Sequence, residues 1–352
     1  MEEHIFSVDT IPLIADHAIE GTPFVPFALL VEELLRSEEP LNSSFVALKN
    51  VELVQPAMLR RNRPKTYFHR QTPYVKGLNK SHTSETDFKA TCNAAQPLES
   101  LSEPARGAIK SVESASESEI SPVSFSTTRL SEPAKNSGNQ SSIEVCVELL
   151  DASEKPIIKG LHSQNCELPM LYSPEQNNAR ELLLLSREEL YPDLFFHGPT
   201  LQADFAIRKG DADSLLVKLS GLAKMPSSPK QLSEQARQAI IPADLALQIA
   251  VLHGMCFSQV PLLPWGCLSY FRNQNTLNFD SVLVSAHKVA NCTYDIDVLI
   301  DPLPKNAFSG ESLLWERSTV LSWRKVTFRS LQHVFSDRAL SLLSKIKNSL
   351  AL

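Results

Sequence analysis

The sequence predicts an α+β protein made of two successive units, each one helix with several antiparallel strands. Three observations carry this. Apolar positions recur at helical spacing over 27–35 and 242–255, one stretch ahead of each group of strands. Most of the remaining apolar stretches alternate or run as short β-rich segments. Those strands also follow one another directly instead of alternating with crossover helices, which separates α+β from α/β.

In chain order, a strand is expected ahead of the first helix. Phe27, Leu30, Val31, Leu34 and Leu35 then fall at i, i+3, i+4, i+7 and i+8, one apolar helical stripe. FVALKNVELV (45–54) and TYFHRQTPYV (66–75) read as strands, the first with Val46, Leu48, Val51 and Leu53 inward. From about Leu78 to Ser142 the chain is rich in Ser, Thr, Glu, Pro and Ala, and the pentapeptide LSEPA occurs twice. Such a stretch cannot offset its ordering entropy by burial, so a disordered insertion is expected there. A hairpin follows over 142–163, turning at Asp151–Pro156. ARELLLLSREELYP (179–192) leads into a second hairpin of LQADFAIRKG (201–210) and DSLLVKLSGL (213–222). The second helix, PADLALQIAVLHGM, begins at Pro242, with Leu245, Ile249 and Leu252 on one face. Strands at 281–289, 293–301 and 320–328 and an amphipathic helix over 337–350 complete the order. The expected units are 1–174, 175–336 and a terminal helix, 337–352.

Composition narrows the function. Of 352 residues 43% are hydrophobic, enough for a substantial core, and the net charge of −6 does not suggest a nucleic-acid surface. The six cysteines form no C-x-x-C pair and no His/Cys cluster at metal-ligand spacing, so neither a zinc site nor a disulfide scaffold is expected. No continuous apolar run approaches the ~20 residues of a membrane span, and MEEHIFSVDT lacks the form of a signal peptide. A cytoplasmic, soluble protein is the expectation. Arg60, Arg61, Arg63 and Lys65 form a basic cluster, most simply a solvated loop.

Three stretches could carry chemistry. In ADHAIEGTPFVPFALL, His17 is followed by Gly21 and Pro26 and then at once by an apolar helix. A base, a permissive turn and the N–H groups of a helix start thus lie within ten residues; taken alone, His17 is more simply a packed histidine. In PADLALQ, Asp244 stands in the expected first turn of a nearly all-apolar helix, with Gln248 one turn on. An acidic residue there is an ordinary dipole complement, but burial would also raise its pKa and let it act as an acid. FFHGPTLQ places His197, Gly198 and Pro199 at a turn, with Tyr191 nearby as a polar lining group.

Together, in this order, the three stretches resemble the polyketide-synthase-type dehydratases, especially those of bacterial polyunsaturated fatty acid synthases. That family carries H-x-x-x-G-x-x-x-x-P, matched by His17, Gly21 and Pro26, and D-x-x-x-Q or D-x-x-x-H, matched by Asp244 and Gln248. Between them lies a G-P turn, matched by Gly198, Pro199 and Gln202, with His197 where many relatives have tyrosine; Leu263–Pro264 matches a later L-P. The resemblance spans about residues 5 to 330 apart from the insertion. It implies a double hotdog, two fused units each with a helix wrapped by an antiparallel sheet. It also implies dehydration of a β-hydroxyacyl thioester to a 2-enoyl thioester, with His17 as base and Asp244 as acid. Backbone N–H groups near Gly21 and the helix start would face the thioester carbonyl, and a tunnel between the two helices would hold the substrate.

No cofactor or metal is implied beyond the phosphopantetheine arm that carries the substrate. The implied partners are an acyl carrier protein and other synthase domains, with a homodimer as the implied assembly and neither nucleic acid nor membrane. Two departures bear on this. Relatives carry a further strand or hairpin before the histidine motif, which starts here at residue 17, so an exposed sheet edge is expected. Phe27 stands where many relatives have glycine, and narrows the expected tunnel. A product-template-like cyclase and a catalytically silent scaffold domain are the alternative functions.

Overall fold

Among the described residues, a computed structural model has fourteen strands and four α-helices. It describes residues 2–36, 45–59, 63–74, 144–163, 182–191, 193–223, 234–274, 280–300, 319–331 and 334–350. The expected insertion at 78–142, the boundary at 174/175, and Arg60 and Arg61 lie outside the described residues.

The first half opens with β1 (Glu2–Phe6), the two-residue strands β2 (Ala18–Ile19) and β3 (Thr22–Pro23), and helix α1 (Phe27–Leu35). Strands β4 (Phe45–Leu53), β5 (Lys65–Tyr74), β6 (Glu144–Leu150) and β7 (Pro156–Ser163) follow. The second half has β8 (Leu183–Leu185), the short helix α2 (Arg187–Leu190), β9 (Asp204–Gly210), β10 (Ser214–Ser220) and the long helix α3 (Glu234–Ser258). It continues with β11 (Leu262–Asn273), β12 (Ser281–Ala290), β13 (Thr293–Ile300) and β14 (Thr319–Ser330), and ends in α4 (Asp337–Ser349).

Twelve of these strands form one antiparallel sheet in the order β1-β5-β6-β7-β4-β11-β14-β13-β12-β10-β9-β8. Strands of the first half are contiguous, those of the second half are contiguous, and the β4–β11 pairing joins them. Helix α1 packs on β4, β6 and β7; α3 packs on β10 to β14; and the two helices pack on each other. Every side chain of α1 is buried, as are those of α3 from Ala239 to Cys256. An ion pair crosses the junction inside this core. Arg272 of β11 lies 3.0 Å from Glu32 of α1, which also accepts a 2.5 Å hydrogen bond from the Tyr270 hydroxyl.

The alternation within β4 changes phase for a local reason. Val46 and Leu48 are buried, and so are Val51 and Leu53, a step of three where two would be regular. Asn50, at φ +50°, absorbs the extra residue as a bulge, with a register shift against β7 between Lys49 and Glu52.

Five features compare with the expectations. First, the strand expected ahead of the first helix is β1, which pairs with β5 and forms one edge of the sheet. Second, β11, which joins the halves, was not read from sequence. Pro264 and Gly266 interrupt its pattern, and its pairing with β14 is irregular between them. Third, α3 starts at Glu234, eight residues before Pro242, which lies inside the helix. An interior proline costs about 3 kcal/mol, and here Ala236, Ala239, Ile240 and Ile241 bury their side chains ahead of it. Asp244 is therefore in the body of the helix, away from its N-terminal dipole. Fourth, this helix has the length and apolar character of a membrane span over Gln235–Ser258, although it packs against the sheet. Fifth, Phe27 stacks on Trp323 at 5.7 Å, so its ring is spent on the core.

Candidate active site

The site begins with the hairpin of β2 and β3. Glu20 and Gly21 both take positive φ, +49° and +74°, as the two central residues of a tight primed turn require. Nothing lies within 4 Å of where a Cβ on Gly21 would point, so glycine is needed there for conformation alone. The hairpin returns the chain onto His17: the Phe24 N–H donates to the His17 carbonyl at 2.8 Å, and His17 Nδ1–H donates to the Phe24 carbonyl at 3.1 Å. A carbonyl can only accept, so the tautomer is fixed and Nε2 keeps its lone pair. Burial lowers the His17 pKa to about 4, keeping the imidazole neutral at physiological pH. Pro26 is the N-cap of α1.

The carboxyl comes from α3. Asp244 is buried, and Gln248 one turn on donates from Nε2 to Asp244 Oδ2 at 3.0 Å and to the Leu201 carbonyl at 3.0 Å. The Tyr191 hydroxyl donates to Gln248 Oε1 at 2.6 Å, so both ends of the amide are fixed. Burial raises the Asp244 pKa to about 7, against the lowering effect of the Gln248 hydrogen bond. Burial also pushes the Tyr191 phenol well up, so it remains a donor. Among the described residues nothing hydrogen-bonds Asp244 Oδ1, which leaves that oxygen free to present a proton.

The segment 195–202 brings the two together. Residues 17 and 197 form an isolated antiparallel bridge, Gly198 N–H donates to the Asp16 carbonyl at 2.6 Å, and Thr200 N–H donates to Asp16 Oδ2 at 2.9 Å. A Cβ on Gly198 would overlap Asp16, so this is a close backbone approach that only glycine allows. Pro199 opens the short 3-10 turn Pro199–Leu201, and Gln202 Nε2 donates to the His197 carbonyl at 2.7 Å. His197 Nε2 ends 3.5 Å from Asp244 Oδ2, and the His17 and His197 rings are 5.0 Å apart between centroids. One nitrogen or oxygen from each of His17, His197 and Asp244 lies within 4.8 Å of the other two.

The structure thus places His17, His197, Asp244, Gln248 and Tyr191 in one cluster, with Gly198 fixing its backbone. Gly21 and Pro26 shape the chain around it, and Leu263–Pro264 lies in β11. Two further neighbours belong to the site. Asp16 holds the 198–200 backbone, and Phe196 stacks on His197 at 4.4 Å and meets His17 edge-on at 5.0 Å. The aromatic pair FF before His197 was the available signal for the second; nothing local marks the first. A cleft of about 250 Å³ lined by Arg187, Glu188, Tyr191 and Gln202 adjoins the cluster through Tyr191.

The architecture has close counterparts among solved structures. The chain superimposes on the dehydratase domain from the CurF module of curacin polyketide synthase with a TM-score of 0.56, at 12% identity, covering 94% of this chain and 92% of that one. The dehydratase domain from the CurJ module gives 0.53 at 13% identity, covering 93% and 90%. A structure described as addressing dehydratase substrate selection for the borrelidin and fluvirucin polyketide synthases gives 0.51 at 14% identity, covering 95% and 90%. The fold is a double hotdog. No protein-family model matches the sequence, and no curated protein matches it. In this double hotdog the sheet's two contiguous halves each enclose one helix, and the clustered side chains come from both.

Proposed function

We propose that the protein dehydrates a β-hydroxyacyl thioester to the 2-enoyl thioester, with the acyl chain carried on the phosphopantetheine of an acyl carrier protein. One observation carries this reading: a histidine with a free, neutral Nε2 and a carboxyl whose pKa is about 7 border one buried site. β-Elimination needs that pair. The α-proton of a thioester is weakly acidic and must be taken by a positioned base, and hydroxide leaves poorly unless it is protonated as it departs.

In the proposed reaction His17 Nε2 removes the α-proton, and the Cα–H electrons form the Cα–Cβ double bond. The Cβ–O bond breaks and its oxygen takes the proton of Asp244, leaving as water. Imidazolium and carboxylate then exchange that proton through solvent to reset the site. Tyr191 and Gln248 orient the acid. His197, beside Asp244, lies where it can meet the departing hydroxyl. The first N–H groups of α1, which have no intrahelical acceptor, would receive the charge on the thioester oxygen. The likeness to polyketide synthase dehydratase domains supports this reading, as does the order of the motifs. Use in polyunsaturated fatty acid or polyketide synthesis, a cytoplasmic setting and pairing with other synthase domains belong to the same proposal.

The test is to incubate the protein with a 3-hydroxyacyl carrier protein and, separately, with its 2-enoyl counterpart. Intact-mass spectrometry reads the loss or gain of one water. Interconversion from both directions is the expected result; no mass change with either substrate sinks the enzymatic reading.

A further inference from the structure

His197 gives the cluster a composition that a base and an acid alone would not have. Among the described residues, His17, His197 and Asp244 are the one group of three metal-ligand side chains brought together, each offering an atom within 4.8 Å of the other two. Two imidazoles and a carboxylate are the donor set of many zinc and iron(II) sites.

Three further observations indicate an organised donor set. His17 Nδ1–H is tied to the Phe24 carbonyl, which orients the ring and leaves Nε2 free, the outer-shell arrangement that metal-binding histidines use. Asp244 is likewise held from behind by Gln248, and Gln248 by Tyr191. The third observation concerns His197 itself. Its side chain is only 7% exposed, its Nδ1 is buried without a hydrogen-bond partner, and its Nε2 has only the 3.5 Å approach to Asp244. A buried imidazole so poorly paired is unusual, because buried polar groups nearly always find partners.

We propose that His17, His197 and Asp244 bind a divalent first-row transition ion through two imidazole nitrogens and one carboxylate oxygen, leaving a position open to solvent. Ligand bonds of about 2.0–2.2 Å put neighbouring donors roughly 3.3 Å apart around a tetrahedral ion. Asp244 and His197 already stand at 3.5 Å, so closure requires mainly a small approach of the His17 ring. Binding forms two metal–nitrogen bonds and one metal–oxygen bond and releases the Asp244 proton to solvent. The ion occupies the lone pair of the base and takes the place of the acid's proton, so the metal-bound form is inactive. That last consequence rests on the dehydratase reading; the binding does not.

The experiment titrates metal-free protein with Zn²⁺ against a chromophoric chelator, and with Co²⁺ while recording the visible spectrum. One ion per chain is expected, with an intense cobalt spectrum of low coordination number. His197→Phe, His17→Phe and Asp244→Asn, each checked for folding by its thermal transition without metal, should weaken binding by at least about 100-fold. His287→Phe, on β12, should leave it unchanged. Binding of equal affinity in His197→Phe overturns the proposal, as does wild type that binds no ion. If the variants do not fold, the wild-type cobalt spectrum decides: a weak, six-coordinate aqua-like spectrum overturns it. Where dehydration is observed, Zn²⁺ should abolish it and a chelator restore it. Binding without any conversion would remove the dehydratase reading and leave the site, and conversion without binding would do the reverse.

Discussion

His17 stands at the base of a two-strand hairpin, oriented by one ring hydrogen bond and by a turn with two residues at positive φ. Asp244 stands inside a 25-residue helix, its carboxyl held by Gln248 and that amide held at both ends. The imidazole is placed by backbone conformation, the carboxyl by side-chain bonding in a buried helix. Burial acts on both, and in opposite protonation senses. It disfavours the charged form of each, so the imidazole is held neutral and the carboxyl is held toward its protonated form. One environment thereby gives the two groups the complementary protonation states that the proposed reaction needs. The segment 195–202 links the two arrangements, fastened to Asp16 on one side and reaching Asp244 on the other.

The largest expected effect that separates the two groups is in stability against pH. The folded-state pKa of Asp244, about 7, exceeds the unfolded value of 3.8, so its contribution is complete below pH 3.8 and is lost as pH rises through about 7. His17 has the opposite sign. Its folded value of about 4 lies below the unfolded 6.5, so stability is gained as pH rises from 4 to 6.5. The stability difference between wild type and Asp244→Asn should therefore shift by roughly 2–4 kcal/mol against wild type between pH 4 and pH 8. Urea unfolding at a series of pH values reads this, and a flat difference would mean that Asp244 is not held protonated.

Next in size is the link between the halves. Gly198→Ala places a methyl group against Asp16 and should cost about 2–3 kcal/mol in stability, with a fall in kcat from displacement of His197. An unchanged thermal transition would show that the close approach is not needed. Tyr191→Phe leaves Gln248 Oε1 without its 2.6 Å donor, a buried acceptor worth about 1–3 kcal/mol, and should lower kcat more than it raises KM. Smallest is Gly21→Ala, a turn residue at φ +74° with open space around it, expected to cost about 1 kcal/mol and to alter activity only through the orientation of His17. If Gly21→Ala proves more damaging than Tyr191→Phe, the base depends on its hairpin more than the acid does on its hydrogen bonds.

How much of this could be read in the sequence follows the same division. His17-x-x-x-Gly21-x-x-x-x-Pro26 and Asp244-x-x-x-Gln248 are local, so they could be picked out in the sequence, but spacing alone favoured a packed histidine and a dipole complement, and their resemblance to a family's motifs is what marked them. The α1 stripe and the β9–β10 hairpin were legible because periodicity reports which face is buried. Long-range geometry was not. The bridge between residues 17 and 197 and the fastening of Asp16 to Thr200 depend on two segments far apart in sequence meeting at one point. Strand β11 was hidden by Pro264 and Gly266, whose irregular pairing suits a strand flanked by β4 and β14 but breaks alternation. The start of α3 was hidden by Pro242, a good helix opener that tertiary packing holds inside the helix.

The central claim, that the two hotdog units supply one base and one acid to the same Cα–Cβ bond, is tested most directly by a double-mutant cycle. The measurement is kcat/KM for wild type, His17→Ala, Asp244→Asn and the double variant on a 3-hydroxyacyl pantetheine thioester. Each single variant should lose roughly 10²–10⁴-fold, and the double should be little worse than the poorer single, because groups acting as a unit are not additive. Near-wild-type turnover in either single variant, or losses that multiply in the double, would contradict it.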